Sequence, residues 1–110
     1  MPKKLSTAAM WPILVQERLL EWGSCINAQR LQQRITVADL CGRLGISEQT
    51  LRRMERGDPG VGAGAYLTAL LALGVAGDAT PALRPQLWQQ APGKRVRPTR
   101  EERQLDADYF

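Results

Sequence analysis

Apolar side chains recur at steps of three and four residues along the chain as far as residue 75, which is the spacing of one face of an α-helix. The first such segment predicts a helix that begins near Ser6 or Pro12 and ends near Ile35. Proline suits a first helical turn, where its missing N–H is not needed. Gly23 followed by Ser24 predicts a break of this segment into two helices.

Two short helices follow, and each has its own start and stop signal. Thr36 and Ser47 carry hydroxyl groups that can cap a helix by accepting from the free N–H groups of the first turn. Gly45 and Gly57 end these helices, because glycine adopts the left-handed conformation of a helix C-terminus most easily. The apolar positions that follow each cap form the buried faces: Val37, Leu40, Cys41 and Leu44 in the first helix, and Leu51 and Met54 in the second.

A fourth helix, rich in leucine and alanine, is predicted from Gly62 or Gly64 to Leu73, with Gly74 closing it. Beyond Val75 prolines and basic residues dominate, which is typical of a linker, with a short strand or helix around residues 83–89. The sequence therefore predicts an all-α fold of four to five helices. Its parts are an N-terminal helical extension (residues 1–22), a compact helix-turn-helix domain (23–76) and a Pro/Arg-rich C-terminal tail (77–110).

Composition narrows the function classes. The net charge of +4 favours a polyanionic partner, and nucleic acid is the commonest one. The chain has no histidine, and we recognise no nucleophile–base pair or phosphate-binding loop, so we expect no enzyme activity, no cofactor and no metal. Cys25 and Cys41 lie in apolar-periodic segments and are expected to be small buried side chains. No apolar run is long enough to span a membrane, so we expect a cytoplasmic protein.

A capped helix, a glycine turn and a second capped helix form the arrangement of a helix-turn-helix motif, whose second helix enters the DNA major groove. The stretch TVADLCGRLGISEQTLRRMERG resembles the Xre/Cro-repressor family, which is lambda-repressor-like and bacterial. The residues that match the family pattern are Thr36, Leu40, Gly45, Ile46, Ser47, Leu51, Glu55 and Gly57. The chain departs from the pattern at Val37, where the family often has a glutamine that reaches a phosphate, and at Gly62, where it tends to have serine.

The resemblance implies that the residues just after Ser47 reach base edges. Gln49 is then a candidate for adenine, Arg53 for guanine and Thr50 for the thymine methyl group, while Arg52 can reach either a base or a phosphate. The predicted phosphate contacts are Arg34, Thr36, Arg43, Ser47 and Arg56.

Two glutamates lie among these positions. Glu48 either caps its helix or accepts from a cytosine, and Glu55 is expected to pair with the nearby Arg52 or Arg56.

The resemblance also implies a homodimer on a palindromic operator in double-stranded DNA, because two copies present two reading helices about one turn of DNA apart. The available apolar surfaces are the fourth helix and the first helix, where Trp11, Leu14 and Trp22 can pack across a dimer. Completion of the monomer core is the alternative role for both tryptophans.

A narrower likeness concerns residues 57–75. Gly57, Val61, Gly64 and Tyr66, with the ending LGV, look like HipB-type antitoxins, which implies a type II toxin–antitoxin pair with a HipA-like kinase toxin as partner. The tail residues expected to contact DNA or that partner are Lys94, Arg95, Arg97, Tyr109 and Phe110. A solubilising tail, a stand-alone regulator of phage or host origin, and a protein-interaction module on the same scaffold remain open alternatives.

Overall fold

The computed structural model describes residues 11–90, and the chain is helical wherever this part has regular structure. Residues 11–90 contain five α-helices and, at Pro85–Leu87, one 3₁₀ turn. The helices are α1 (Ile13–Gln32), α2 (Val37–Leu44), α3 (Glu48–Glu55), α4 (Ala63–Ala72) and α5 (Ala76–Ala79). The predicted all-α class is confirmed. The predicted tail contacts lie outside the described residues and stay predictions: Lys94, Arg95, Arg97, Tyr109 and Phe110.

Helix α1 is continuous, so the predicted break at Gly23 and Ser24 is wrong. Gly23 is buried, and a Cβ atom placed on it would lie 2.5 Å from Met54 O and 2.8 Å from Glu55 O. The glycine is therefore needed where the backbone of α3 approaches α1, and it does not interrupt the helix. Helix α1 spans residues 22 and 23, between which the predicted domain boundary falls, and that boundary stays a prediction.

The caps of α2 and α3 are confirmed. Thr36 Oγ1 accepts a hydrogen bond of 3.0 Å from the Asp39 N–H, and Ser47 Oγ accepts one of 3.1 Å from the Thr50 N–H. Gly45, between the two helices, has a φ of 69° in the left-handed region. These three features fix the turn between α2 and α3 locally, which is why the pattern of the sequence was sufficient to predict it.

The core is shared by the first four helices. Its fully buried large side chains are Ile26 from α1, Leu40 from α2, Leu51 and Met54 from α3, and Tyr66 and Leu70 from α4. Trp22 packs against this core, with its ring centroid 5.8 Å from that of Tyr66. The structure thus supports the monomer-core role for Trp22, whereas Trp11 is exposed.

The two cysteines behave as small side chains of the interior, although to different degrees. Cys41 is buried in α2, and Cys25 is half-buried in α1. Burial raises the pKa of the Cys41 thiol, and the negative charges of Glu48 and Glu55 act in the same direction. The thiol is therefore held in its neutral, poorly reactive form.

The end of the domain is more ordered than the linker-like composition predicted. Helix α4 begins after Gly62, whose position has no side-chain cap, as the departure from the family pattern suggested. Helix α5 was not predicted, and it forms because Val75 and Ala79 pack against the core. The amide of Gln33 donates a 2.8 Å hydrogen bond to Leu73 O and so ties the end of α4 to the end of α1.

Candidate nucleic-acid interface

Helix α3 presents a polar face to solvent because all of its apolar side chains are buried in the core. Leu51 and Met54 are fully buried. Gln49, Arg52 and Arg56 are exposed and lie on the opposite face, since Gln49 and Arg56 are seven residues, about two helical turns, apart. This face can offer one amide and two guanidinium groups to a partner.

The N-terminal end of α3 is fixed by a pair of hydroxyl groups. Ser47 Oγ lies 3.0 Å from Thr50 Oγ1 and donates a hydrogen bond to it, in addition to accepting from the Thr50 backbone. The Thr50 hydroxyl is therefore engaged inside the protein, and its side chain is half-buried. Ser47 itself is exposed beside the free N–H groups of the first turn.

Arg52 of α3 forms an exposed ion pair with Glu48. Its Nη2 lies 3.9 Å from Glu48 Oε1, and the two side chains are 61% and 58% exposed. An exposed pair at this distance contributes little to stability, about 0–1 kcal/mol. Glu48 therefore moderates the positive charge of the face without restraining Arg52 strongly.

Arg53 is placed differently from Arg52. Its Nε donates a 2.9 Å hydrogen bond to Asp58 Oδ2, and the two side chains are 37% and 30% exposed. Asp58 lies in the turn that follows Gly57, where the backbone has a φ of 75° and can reverse direction. The side chain predicted to read guanine is thus held from one side by a carboxylate.

Glu55 does not pair with Arg52 or Arg56, so this expectation is wrong. Its Oε2 accepts a 2.8 Å hydrogen bond from Arg30 Nε, and both side chains are nearly buried. The other nitrogens of Arg30 donate to Ile35 O at 3.1 Å and to Asn27 Oδ1 at 3.2 Å. Arg30 connects α1, α3 and the loop before α2, and sequence reasoning did not single it out.

A signal for Arg30 was present in the sequence. It follows the buried Ile26 by four residues and therefore lies on the inner face of α1, where an unpaired charge would be very costly. A charged residue at such a position predicts a buried partner of opposite charge. Helix α3 carries two carboxylates, Glu48 and Glu55, and in the structure Glu55 is the partner.

The predicted phosphate contacts lie at the ends of α2 and α3. Arg34 and Thr36 precede α2, and Arg43 lies in its last turn. Ser47 and Arg56 flank α3 as its N-cap and C-cap residues. All five side chains are exposed. Arg34 also has a φ of 57°, and it is the one non-glycine residue among the described ones with a positive φ.

An open groove of about 300 Å³ runs beside α3. Asn27 of α1 lines it together with Arg52, Glu55 and Arg56. The carboxylate of Glu55 is neutralised by Arg30, so the two arginines at the rim give this groove a positive character. Such a groove suits an anionic oxygen of a partner better than an apolar group.

Two structural findings bear on the class of the site. Between residues 11 and 90, no three side chains of His, Cys, Asp or Glu approach closely enough to hold a metal ion. None of the helices in the same stretch combines the length and the apolar character that crossing a bilayer requires.

The chain is similar to a known domain family. A sequence profile described as a helix-turn-helix domain matches residues 22–83. No curated protein and no solved structure matches the chain. The profile match covers α1 from Trp22 onward, all of α2 to α5 and the segment as far as Leu83.

Proposed function

Because the chain belongs to the family of helix-turn-helix domains, we propose that it is a sequence-specific DNA-binding transcriptional repressor that places α3 in the major groove. The observation that carries this proposal is the exposed face of α3, with Gln49, Arg52 and Arg56 opposite the fully buried Leu51 and Met54. Because the buried side chains anchor the helix, the backbone that carries its polar side chains is held in a fixed position. Such a fixed position is what discrimination between base edges requires.

The side chains of α3 divide into base and phosphate contacts under this proposal. Gln49 pairs with adenine N6 and N7, and Arg52 and Arg53 reach guanine. Thr50 contributes its methyl group to a thymine, since its hydroxyl is already bonded to Ser47. The phosphate contacts, which set the register on the duplex, come from Arg34, Thr36, Arg43, Ser47 and Arg56.

We further propose that the repressor acts as a homodimer through α4. This helix, with the sequence AGAYLTALLA, carries no charged residue, and Leu67 and Leu71 on its outer side are 41% and 69% exposed. One helix-turn-helix domain buries a small interface with DNA, and a second copy doubles it. Trp22 of α1 already packs in the monomer core, which favours α4 over α1 as the dimer surface.

The finer role that we propose is that of the autoregulating antitoxin of a toxin–antitoxin pair. It is supported by the likeness of residues 57–75 to HipB-type antitoxins and implies a HipA-like kinase as the protein partner. Affinity purification of the tagged full-length chain from its native host tests it. Recovery of a kinase-like protein supports the antitoxin role, whereas recovery of operator DNA alone favours a stand-alone regulator.

The test of DNA binding starts from a random duplex library. Rounds of selection with the full-length chain should enrich one sequence, and fluorescence anisotropy then measures its affinity. Gln49→Ala and Arg52→Ala should each reduce binding to the selected site by about 1–3 kcal/mol and relax the preference at one base position. Gln86→Ala, which removes an exposed amide in the 3₁₀ turn, far along the chain from α3, is the matched control. Failure to enrich any sequence, with no binding at low salt, would reject the proposal.

Salt dependence separates the two kinds of contact. Arg56→Ala should weaken binding to selected and random duplexes alike and reduce the slope of log K against log salt by about one. Gln49→Ala should leave that slope unchanged, because its amide displaces no counterion. A change of base preference in Arg56→Ala would show that our division of α3 is wrong.

A further inference from the structure

The Arg53–Asp58 pair differs from the other exposed ion pairs in how firmly it is held. The Arg53 guanidinium is bound through Nε at 2.9 Å, whereas the guanidinium of Arg52 lies 3.9 Å from its carboxylate. Arg53 is also only partly exposed, so its stem is restrained by the protein surface. This is a defined position for a long side chain.

Beyond its pair with Arg53 Nε, Asp58 is fixed by four hydrogen bonds, one of which its backbone oxygen accepts from the Val61 N–H at 3.2 Å. Its Oδ1 accepts from the Gly60 N–H at 2.7 Å, its backbone N–H donates to Arg53 O at 3.0 Å, and its backbone oxygen accepts from Tyr66 Oη at 2.8 Å. Tyr66 is fully buried in the core. The Arg53 guanidinium and then the Gly60 N–H hold the pKa of Asp58 below its usual range, so the carboxylate is charged at neutral pH.

The backbone of the turn confines the other side of Arg53. A Cβ atom placed on Gly60 would lie 2.7 Å from Arg53 Nη2, so the absence of a side chain at Gly60 leaves room for the guanidinium. Among residues 11–90, neither Nη1 nor Nη2 of Arg53 has a hydrogen-bond partner. The end of the guanidinium therefore keeps two parallel N–H donors available while its Nε is occupied.

Guanine presents O6 and N7 in the major groove, and two parallel N–H donors of one arginine match this pair of acceptors. We propose that Asp58 is a positioning residue that presets Arg53 to read a guanine, a proposal that rests on the DNA-binding function above. Holding Nε removes the rotational freedom that Arg53 would otherwise lose on binding. Asp58 also repels the phosphates of any duplex, so it disfavours binding that does not satisfy Arg53.

This role makes a prediction that a purely structural role of Asp58 does not make. Removal of the carboxylate should raise the affinity for random duplex DNA, because a negative charge near the phosphates is lost. It should simultaneously lower the preference for guanine at one base pair. A residue that only stabilised the turn would lose affinity for every duplex in parallel with folding stability.

The experiment compares full-length wild type with Asp58→Asn on the selected duplex and its single-base variants, measured by fluorescence anisotropy. Asp58→Asn should reduce the guanine preference at one position by roughly tenfold. Asp39→Asn removes one exposed carboxylate from α2 and is matched in net charge, so it should leave every base preference unchanged. In an Arg53→Ala background the preference at that position is already lost, and Asp58→Asn should change it no further.

The outcomes separate this inference from the proposed function. If wild type enriches no sequence, the proposed function fails and the inference fails with it. If wild type selects an operator but Asp58→Asn keeps all of its base preferences, or Arg53→Ala does, DNA binding stands and the inference is wrong.

A second measurement uses wild type, so its result does not depend on whether Asp58→Asn folds. The NMR resonance of the Arg53 Nε–H, assigned by its absence in Arg53→Lys, should remain protected from solvent exchange in the complex with the selected duplex. Loss of that protection on binding would mean that Arg53 leaves Asp58, which would overturn the inference.

Discussion

The ion pair between Arg30 and Glu55 joins two helices at a point that solvent barely reaches. The side chains are 11% and 13% exposed, and the other nitrogens of the guanidinium bond to Ile35 O and Asn27 Oδ1. A pair of this kind is strongly destabilising when one partner is removed, because the remaining charge stays buried without compensation. Without Glu55, the charge of the Arg30 guanidinium would be nearly buried with no opposite charge beside it.

We therefore predict that Glu55→Ala lowers the free energy of unfolding by about 3 kcal/mol. Glu48→Ala is the matched control, since the pair of Glu48 with Arg52 is exposed and should contribute less than about 1 kcal/mol. Urea denaturation followed by circular dichroism measures both variants. Equal losses would show that the buried pair is no more important than the exposed one.

Tyr66 gives the fold a dependence on alkaline pH. Burial, and secondarily the negative charge of Asp58, raise the pKa of Tyr66 to about 12. A tyrosine in the unfolded chain has a pKa near 10. The folded state thus holds this proton more tightly than the unfolded state does, and the corresponding stability is present below pH 10 and is lost as the pH rises toward 12.

Urea midpoints measured between pH 8 and pH 11.5 should therefore fall for wild type. Tyr66→Phe removes the titrating group, so its midpoint should be lower at pH 8, because the bond to Asp58 O is lost, but should decline less with pH. The difference between the two curves isolates Tyr66 from other groups that titrate in this range. Parallel curves would contradict the prediction.

At the residue scale, contacts between residues close in sequence could be predicted from the sequence, and contacts between distant residues could not. The caps of Thr36 and Ser47 depend on neighbours three residues away, and both were predicted correctly. The partner of Glu55 lies 25 residues away, whereas proximity along the same helix indicated only Arg52 and Arg56. Spacing rules describe contacts within a helix and cannot show which two helices meet.

At the scale of elements, the crossing of α1 over the end of α3 determines how α3 is presented. Each partner contributes a glycine to the contact. A Cβ atom on Gly23 would lie 2.5 Å from Met54 O, and one on Gly57 would lie 2.8 Å from Leu20 Cα. Both of these near atoms belong to backbone, so neither can move aside alone.

Gly23→Ala should therefore destabilise the fold by about 1–3 kcal/mol, although alanine is the better helix former. Gly42→Ala, in α2, is the matched control because a Cβ atom there meets nothing within 4 Å. This control should stabilise the protein by about 0.5–1 kcal/mol. Thermal unfolding of the two variants checks the prediction, and stabilisation by both would show that the helices can separate without loss.

The same contact explains why the break in α1 was predicted wrongly. Gly23 and Ser24 carry the composition of a break, and the sequence alone does not distinguish a glycine that ends a helix from one that admits another backbone. Helix α5 was missed for a related reason. Its four residues have no periodic pattern of their own, and they are helical because Val75 and Ala79 reach the core.

At the scale of the whole molecule, the described residues expose large apolar side chains in several places. Two of these places are the outer side of α4 and the first turn of α1. Ile13 and Leu14 of α1 are exposed, as are Leu67 and Leu71 of α4. Contiguous exposed apolar side chains on a helix without charges commonly mark an interaction site.

Paired substitutions distinguish these two surfaces. The double variant Leu67→Glu, Leu71→Glu should sediment as a monomer and bind the selected operator at least tenfold more weakly, because the second copy no longer contributes its contacts. The matched double variant Ile13→Glu, Leu14→Glu should remain dimeric. Sedimentation equilibrium measures both, and a monomer formed only by the α1 variant would move the interface to α1.

The left-handed backbone at Arg34 has a consequence for how this protein can be improved. Only glycine adopts that conformation freely, so Arg34→Gly should raise the melting temperature by relieving about 1 kcal/mol of strain. It would also delete the guanidinium that we propose to contact a phosphate, so affinity for the selected DNA should fall. The same variant would then be more stable and bind the selected DNA more weakly. A more stable variant of unchanged affinity would need substitutions at other positions.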